Sequence, residues 1–529
     1  MKKINKLWGY LDIDKTALPF YFDTESFELL VFPENGKCGF MDLDVISAFF
    51  KNFGDPRDHK WIRRIRLSGI TSEGYRIIFD SGENFNTYNG SRVFSVNWVY
   101  YYDFDRDINA IDGFNVDGAD VERFYSPIKA FKSDKWFDKK TGALSGFNFK
   151  TVEPVEADGG SFELHWNDIP LAGTMSDDPM SNDDPAANNE EEDSRIGIGE
   201  GNATDKRTNV NIKLTAYSKV RPLANTPLIG ASDIEFNYDS PVSLNAVIKN
   251  YKLVRNFFQY ISYCSSVNFN NLETYWFDKE KRKRYNGRLL WRSSTLQDVN
   301  KESYFLKTSN DKKYIIEFDL LKDKTAKLFE IIDSNLLTFD HLVSSVDARH
   351  SYPLSRFIMI LTAFEREYRN IYGTDSLRDD QYKNFKISFI QDLNNKRETL
   401  HGKERKWIKD FIRGMENSDD SYTDRVRNAL ILNRDEIEPF IKIHYRYTDY
   451  HDIASDISER IGGLRNAFAH NRFDLKFEPE NLSDIKVIEE MLYCIRLKNI
   501  GLETHRIQQA VSELMGKDLF LTEAETNNG

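Results

Sequence analysis

Ile461–Arg472 reads IGGLRNAFAHNR, and Ile453 and Ile457 stand just before it. Ile453, Ile457, Ile461, Leu464 and Phe468 recur every three or four positions, which aligns them as the apolar face of a helix expected over 452–470. Such a stripe has to be buried against other elements, so neighbouring helices are expected. Gly462 and Gly463 would each weaken an isolated helix by about 1 kcal/mol, a loss tolerated where another element approaches closely. Outward from this stretch, helical periodicity returns at 353–371, 380–395, 402–416, 422–445, 482–498 and 503–515. In the first of these Leu354, Phe357, Ile358, Leu361, Phe364 and Tyr368 should point inward, and Pro353 sits where a missing amide proton costs nothing. An all-α bundle over 345–517 follows, with 518–529 as a flexible tail.

The chain before it has a different period. Phe27, Leu29 and Val31 alternate, as do Phe94, Val96, Trp98 and Tyr100, and Val210, Ile212, Leu214 and Ala216. A period of two marks half-buried strands. Short strands between Gly, Asp, Asn and Pro turns point to a sandwich or open barrel with attached helices, and Tyr314–Leu320 (YIIEFDL) reads as another strand. At Ser243 the period becomes helical, with Leu244, Val247, Ile248, Tyr251, Val254, Phe258 and Ile261 on one face behind a serine cap. The fold class is therefore α+β: a β-rich region over 1–340, then the helical domain.

At 529 residues, two or three domains are expected. A mean hydropathy of −0.57, no apolar leader and no membrane-length apolar run suggest a cytoplasmic chain without a membrane partner. Cys38, Cys264 and Cys494 lie far apart, in no zinc-like spacing, and are expected to be reduced buried thiols. No feature asks for a metal or a nucleotide cofactor. Gly197, Gly199 and Gly201 border an acidic run that would repel phosphate, so they read as loop. Much of the formal charge of −12 sits in 173–205, where ten acids face Arg195 alone. That segment lacks large apolar residues and is expected to be a disordered insert, which leaves room for basic patches elsewhere. Lys281–Arg284 (KRKR) is one, readable as a solvated hairpin or as an RNA-backbone contact. Lys403, Arg405, Lys406 and Lys409, beside His401, form another.

Arg465 and His470 bracket four residues, and so do Arg446 and His451. Spacing cannot choose between the pairs. Context favours the first, since Arg465 precedes Asn466 beside the apolar stripe, whereas Arg446 and His451 lie in the aromatic, charged HYRYTDYH. A guanidinium offers a planar fork of donors to phosphate oxygens. Histidine, which ordinarily titrates near pH 7, suits proton transfer. Asn466, four residues before His470, shares its helical face. Arg465 lies about 140° around the helix from His470, so the two converge only through arginine's reach, a distorted helix end or a second subunit.

R-x4-H with asparagine after the arginine is similar to the core motif of HEPN ribonucleases. The order of parts resembles the ApeA-type anti-phage proteins, which join an ApeA N-terminal domain to an ApeA-like HEPN domain. The likeness is carried by SPVSLNAVIKNYKLVRNFFQYISYCSSV (240–267), SRFIMILTAFEREYRNIY (355–372) and GLRNAFAHNRF (463–473). The resemblance implies a metal-independent endoribonuclease of abortive-infection defence that cuts single-stranded or looped RNA, transfer RNA being a candidate. It implies Arg465, Asn466 and His470 as catalytic residues and Glu365 as a support for Arg465. It further implies a homodimer or higher assembly, a phage-derived trigger, and a β-rich region that senses or restrains. Two alternatives remain: a non-catalytic HEPN module binding RNA or protein, and a carbohydrate binder using Trp98, Tyr100 and Tyr101.

Overall fold

The computed structural model describes residues 6–13, 16–32, 64–88, 91–125, 131–137, 144–151, 155–156, 166–167, 207–208, 210–218, 230–267, 269, 271–292, 314–345, 347–373, 380–416, 421–470 and 478–517. The acidic segment 173–205, Gly197, Gly199 and Gly201, Cys38 and the tail 518–529 lie outside them. The chain divides into two compact units, 1–252 with 268–297, and 253–267 with 298–529. The β-rich-then-helical layout expected from periodicity is present. The helical unit also takes in 253–267 and 298–340, which periodicity groups with the strands. No described helix is long and apolar enough to cross a membrane.

In the first unit, β1 (Lys6–Ile13), β2 (Thr16–Asp23), β3 (Glu28–Val31), β4 (Arg64–Thr71), β5 (Arg76–Tyr88) and β6 (Ser91–Tyr102) pair antiparallel in the ring β6-β3-β2-β1-β4-β5-β6. Alternation explains the closed barrel: Leu7 and Leu11, Leu18, Phe20 and Phe22, and Ile77 and Phe79 all turn into one core. Beyond β6 the sheet continues through strands 283–291, 271–277, 111–117, 230–242 and 210–218. The helix predicted after Ser243 forms at Leu244–Ser262, and the Ser243 hydroxyl accepts from the Ala246 amide at 3.5 Å. All seven residues of its expected face are buried.

Strand β6 departs from the simple alternation. Asp80 pairs with Trp98 but Ser81 pairs with Val96, so Asn97 is an extra residue in the ladder. A one-residue slip flips every later side chain to the other face. Phe94 and Val96 line the barrel, yet beyond the bulge it is Val99 and Tyr101 that do so, not Trp98 and Tyr100. Tyr100 instead hydrogen-bonds Thr274 at 2.7 Å. Trp98, Tyr100 and Tyr101 are all buried and offer no ring face for stacking a sugar, so the rings named for the carbohydrate reading are core residues.

Lys281–Arg284 turns the hairpin between 271–277 and 283–291. Asp278 binds both Arg282 and Arg284, and Lys283 pairs with Glu235. Backbone and side-chain donors of Arg282 hold the Asp278 carboxyl down to about 2. This favours the hairpin reading, because the run is largely neutralised by its own acids.

Two further expectations fail in the second unit. Tyr314–Leu320 is no strand: Ile315 and Ile316 are buried, and a short helix begins at Phe318. The single helix expected over 422–445 is two, 422–432 and 434–444. The Asn433 amide group donates to the Ala429 carbonyl at 2.7 Å and takes part in closing the first helix. Pro439 lacks the N–H that would reach the Asp435 carbonyl, and Gln508 donates to that oxygen instead, at 2.6 Å.

The second unit is stapled by buried ion pairs between residues 354–372 and 479–499. Arg356 donates to Glu489 at 2.7 Å, and Glu367 pairs with Arg496. Ile358, expected inside, is exposed, while Arg356 and Glu367 are buried.

His341 lines a small cavity with Thr338, Tyr260 and Glu367. Burial, helped by Arg356, pushes its imidazole down to about 4. Between the ordinary value of 6.5 and that value the unfolded chain binds a proton that the folded chain refuses. Stability therefore falls as pH drops, by about 2 kcal/mol between pH 7 and pH 5 from this group. Denaturant titrations at both pH values should show that fall reduced in His341→Leu; equal slopes would refute it.

Candidate active site

Three helices build the site: α5 (Leu354–Tyr372), α8 (Tyr422–Leu432) and α10 (Tyr450–Ala469). Here α1 is Ala119–Phe124, α2 Leu244–Ser262, α3 Phe318–Leu321 and α4 Lys324–Asp333; α6 is Asp380–Thr399, α7 Gly402–Glu416, α9 Arg434–His444, α11 Pro479–Asn499 and α12 Thr504–Met515. Helix α8 starts where Ser421 and Asp424 cap each other reciprocally, side chain to backbone, which sets its first turn. Asp449 caps α10 through the amides of His451 and Asp452. All five residues of the α10 stripe, Ile453 to Phe468, are buried.

At Gly462 helix α10 lies close against α8. A Cβ there would lie 1.9 Å from the Thr423 hydroxyl, whereas one at Gly463 would meet nothing within 4 Å. Only the first glycine has the packing role expected of the pair. Gly462→Ala should cost about 1–3 kcal/mol through overpacking, and Gly463→Ala should gain up to about 1 kcal/mol. Thermal and urea unfolding of the two variants measure this; equal effects would mean that the close approach carries no energetic weight.

Arg465 leaves α10 half exposed, its side chain 41% accessible. Its Nη2 lies 3.6 Å from Glu365 Oε2 on α5. The other oxygen, Oε1, accepts from Arg369 Nη2 at 2.7 Å and from Arg425 Nη1 at 2.9 Å. One carboxylate thus faces three guanidinium groups and leaves a local surplus of positive charge. Tyr422 closes the cluster from below, its ring centroid 5.9 Å from the Arg465 guanidinium and its hydroxyl donating to the Leu361 carbonyl at 2.9 Å. Burial, with Glu365 nearby, raises its phenol well above the usual range and keeps it a neutral donor.

Asn466 is exposed, and its carbonyl accepts from the His470 amide at 3.1 Å. His470 caps the C-terminal end of α10 and is exposed. The structure brings Arg465 together with Glu365; among the described residues no contact joins the Arg465 and His470 side chains. Arg446 and His451 lie at the other end of α10, both exposed, His451 on the first turn. Sequence reading missed Arg369, Arg425 and Tyr422. Arg369 had a local signal, four residues after Glu365 on one face; the other two reach the site only through packing.

Cys264 and Cys494 are free and buried, and burial raises the Cys494 thiol well above its usual range. Among the described residues no cluster of three or more His, Cys, Asp or Glu could hold a metal ion. No protein-family model matches the chain, and neither a curated protein nor a solved structure matches it.

Proposed function

We propose that this chain is a metal-independent endoribonuclease that cuts single-stranded or looped RNA, with transfer RNA a candidate substrate. One observation carries the reading: Arg465 sits in a cluster with more guanidinium groups than carboxylates, on the helix that ends at the exposed His470. In the proposed reaction the RNA's 2′-hydroxyl oxygen attacks the adjacent phosphorus and its proton leaves to a base. The bond to the 5′-oxygen breaks, that oxygen gains a proton, and a 2′,3′-cyclic phosphate remains. His470 is the group for one of these proton transfers. Arg465, backed by Arg425 and Arg369, donates to the phosphorane oxygens as charge builds there. Asn466 orients the imidazole or a phosphate.

The C-terminal end of α10 supplies one imidazole, His470, and the two proton transfers favour a second. A homodimer, or an assembly of dimers, with two such helices facing one cleft meets that need. The ApeA-type resemblance supports a role in anti-phage defence, with the β-rich unit as sensor or brake answering to a phage-derived trigger. A second reading has its own support: an Arg465–Glu365 pair is also what a helix brace looks like, as in a non-catalytic RNA-binding module.

The test incubates the purified full chain with total RNA in EDTA and maps the ends formed. Cleavage leaving cyclic phosphates supports the enzyme, while RNA binding without cleavage supports the module. A strictly monomeric protein with full activity would remove the composite site.

A further inference from the structure

Helices α6 and α7 pack on each other and turn an unusual face to solvent. Helix α7 keeps Ile412 buried, yet Trp407 and Phe411, one turn apart, are 65% and 58% exposed. On α6, Phe385 and Phe389 are exposed and stacked, with centroids 5.8 Å apart and planes 11° from parallel. Leaving large rings in water forfeits their burial energy, so a patch of this kind marks an interaction surface. The surrounding charge says what kind. Lys403, Arg405, Lys406, Lys409 and Arg413 are all exposed on α7, against the acids Glu404 and Asp410, on a chain whose formal charge is −12. Lys403 lies one turn before Trp407 and Lys406 one turn after Lys403, so these two form a row beside the rings. Lys409 lies about 160° around the helix from Trp407, and the acids Glu404 and Asp410 stand three residues to either side of Trp407.

We infer that the α6–α7 hairpin is a docking platform for single-stranded RNA, with bases stacking on Trp407 and Phe411 and phosphates held by the α7 cations. Exposed rings beside a row of cations match a strand that carries bases beside phosphates; a duplex, whose base faces are covered, would engage only the cations. A second copy of this chain fits less well, because a twofold interface would set this basic face against itself. The inference deepens the ribonuclease reading by naming where the substrate strand is gripped, but binding here does not require that cleavage occur.

The test uses the full chain and a fluorescent single-stranded RNA methylated at every 2′-oxygen, which can bind but cannot attack its own phosphate. Anisotropy is read at about 50 and about 200 mM salt, with the matching duplex alongside. Trp407→Ala with Phe411→Ala should weaken strand binding about tenfold or more at both salts and leave duplex binding nearly unchanged. Lys403→Glu with Lys406→Glu should weaken both and flatten the salt dependence; it also serves as the second variant should the ring variant misfold. Unchanged strand binding in both variants would overturn the platform. So would conversion of an oligomer to monomers with strand binding intact, which would make this face an interface between copies. If the variants lose binding while wild type cuts no unmethylated RNA, the platform stands and the ribonuclease reading falls. If wild type cuts RNA and the variants bind the strand normally, the ribonuclease reading stands and the platform falls.

Discussion

His470→Ala should slow RNA cleavage by about 10²–10⁴-fold, the usual worth of a positioned proton-transfer group, and leave the fold unchanged. The side chain is exposed at the end of α10, so truncation there should shift stability by no more than about 0.5 kcal/mol. Arg465→Ala should lose at least about 10²-fold through missing charge stabilisation. Arg465→Lys should recover little, because a point charge cannot replace a planar fork. Glu365 touches Arg465 and is argued to act through it, so Glu365→Gln should lower kcat in the same direction as Arg465→Ala but by less, and should have no further effect in an Arg465→Ala background. Single-turnover cleavage of a labelled stem-loop, with circular dichroism on each variant, separates these cases. A folded His470→Ala protein that cuts at the wild-type rate would end the proposal. An Arg465→Ala protein that unfolds while Arg465→Lys is stable and inactive would leave Arg465 with both roles.

The second large effect concerns stability. Glu489 is fully buried and accepts from Arg356 at 2.7 Å, from Tyr352 at 2.6 Å and from Tyr263. Arg356 also donates to the carbonyls of Ala348, Arg349 and Ser351. Arg356→Met removes the charge but leaves the carboxylate buried, and should cost about 3–5 kcal/mol. Burial already raises Glu489 above the ordinary 4.5, with Arg356 opposing that rise, and deleting the arginine raises it further. A carboxyl raised in the folded state binds a proton that the unfolded state has lost, so the variant's deficit should grow as pH rises from the wild-type Glu489 value through the higher one of the variant. Adding Glu489→Gln should return part of the loss at neutral pH. Urea denaturation from pH 5 to pH 8 measures both effects; a pH-independent deficit would mean that Glu489 is not the group left uncompensated.

These particulars show where the sequence was legible. The seven-residue face of α2 and the five-residue stripe of α10 are where a period of 3.6 places them, because single-faced burial leaves a repeat that can be counted. In β6 counting fails past Asn97: Trp98–Tyr102 is apolar or aromatic throughout and buried on both faces, so no polar residue marks the slip. The burial of Arg356 and Glu367 has no local signal, because their partners, Glu489 and Arg496, are more than a hundred residues away in sequence. The break at Asn433 was missed because asparagine is tolerated within helices, and only its side-chain bond to Ala429 shows it closing a turn. At the candidate site Arg465, Asn466, His470 and Glu365 were named from motif and resemblance. Arg425 was not, since nothing local ties α8 to α5.

The ladder along β6 has a last consequence. One edge of this strand is taken up by β5, and the other passes from β3 at Arg92–Ser95 to strand 283–291 at Trp98–Tyr102. Peeling the barrel open therefore means cutting into the sheet beyond it, and fraying of the sheet at this point loosens the barrel. The two parts of the sheet joined along this strand should melt as one cooperative block, and both edges of the strand are already paired against an invading segment.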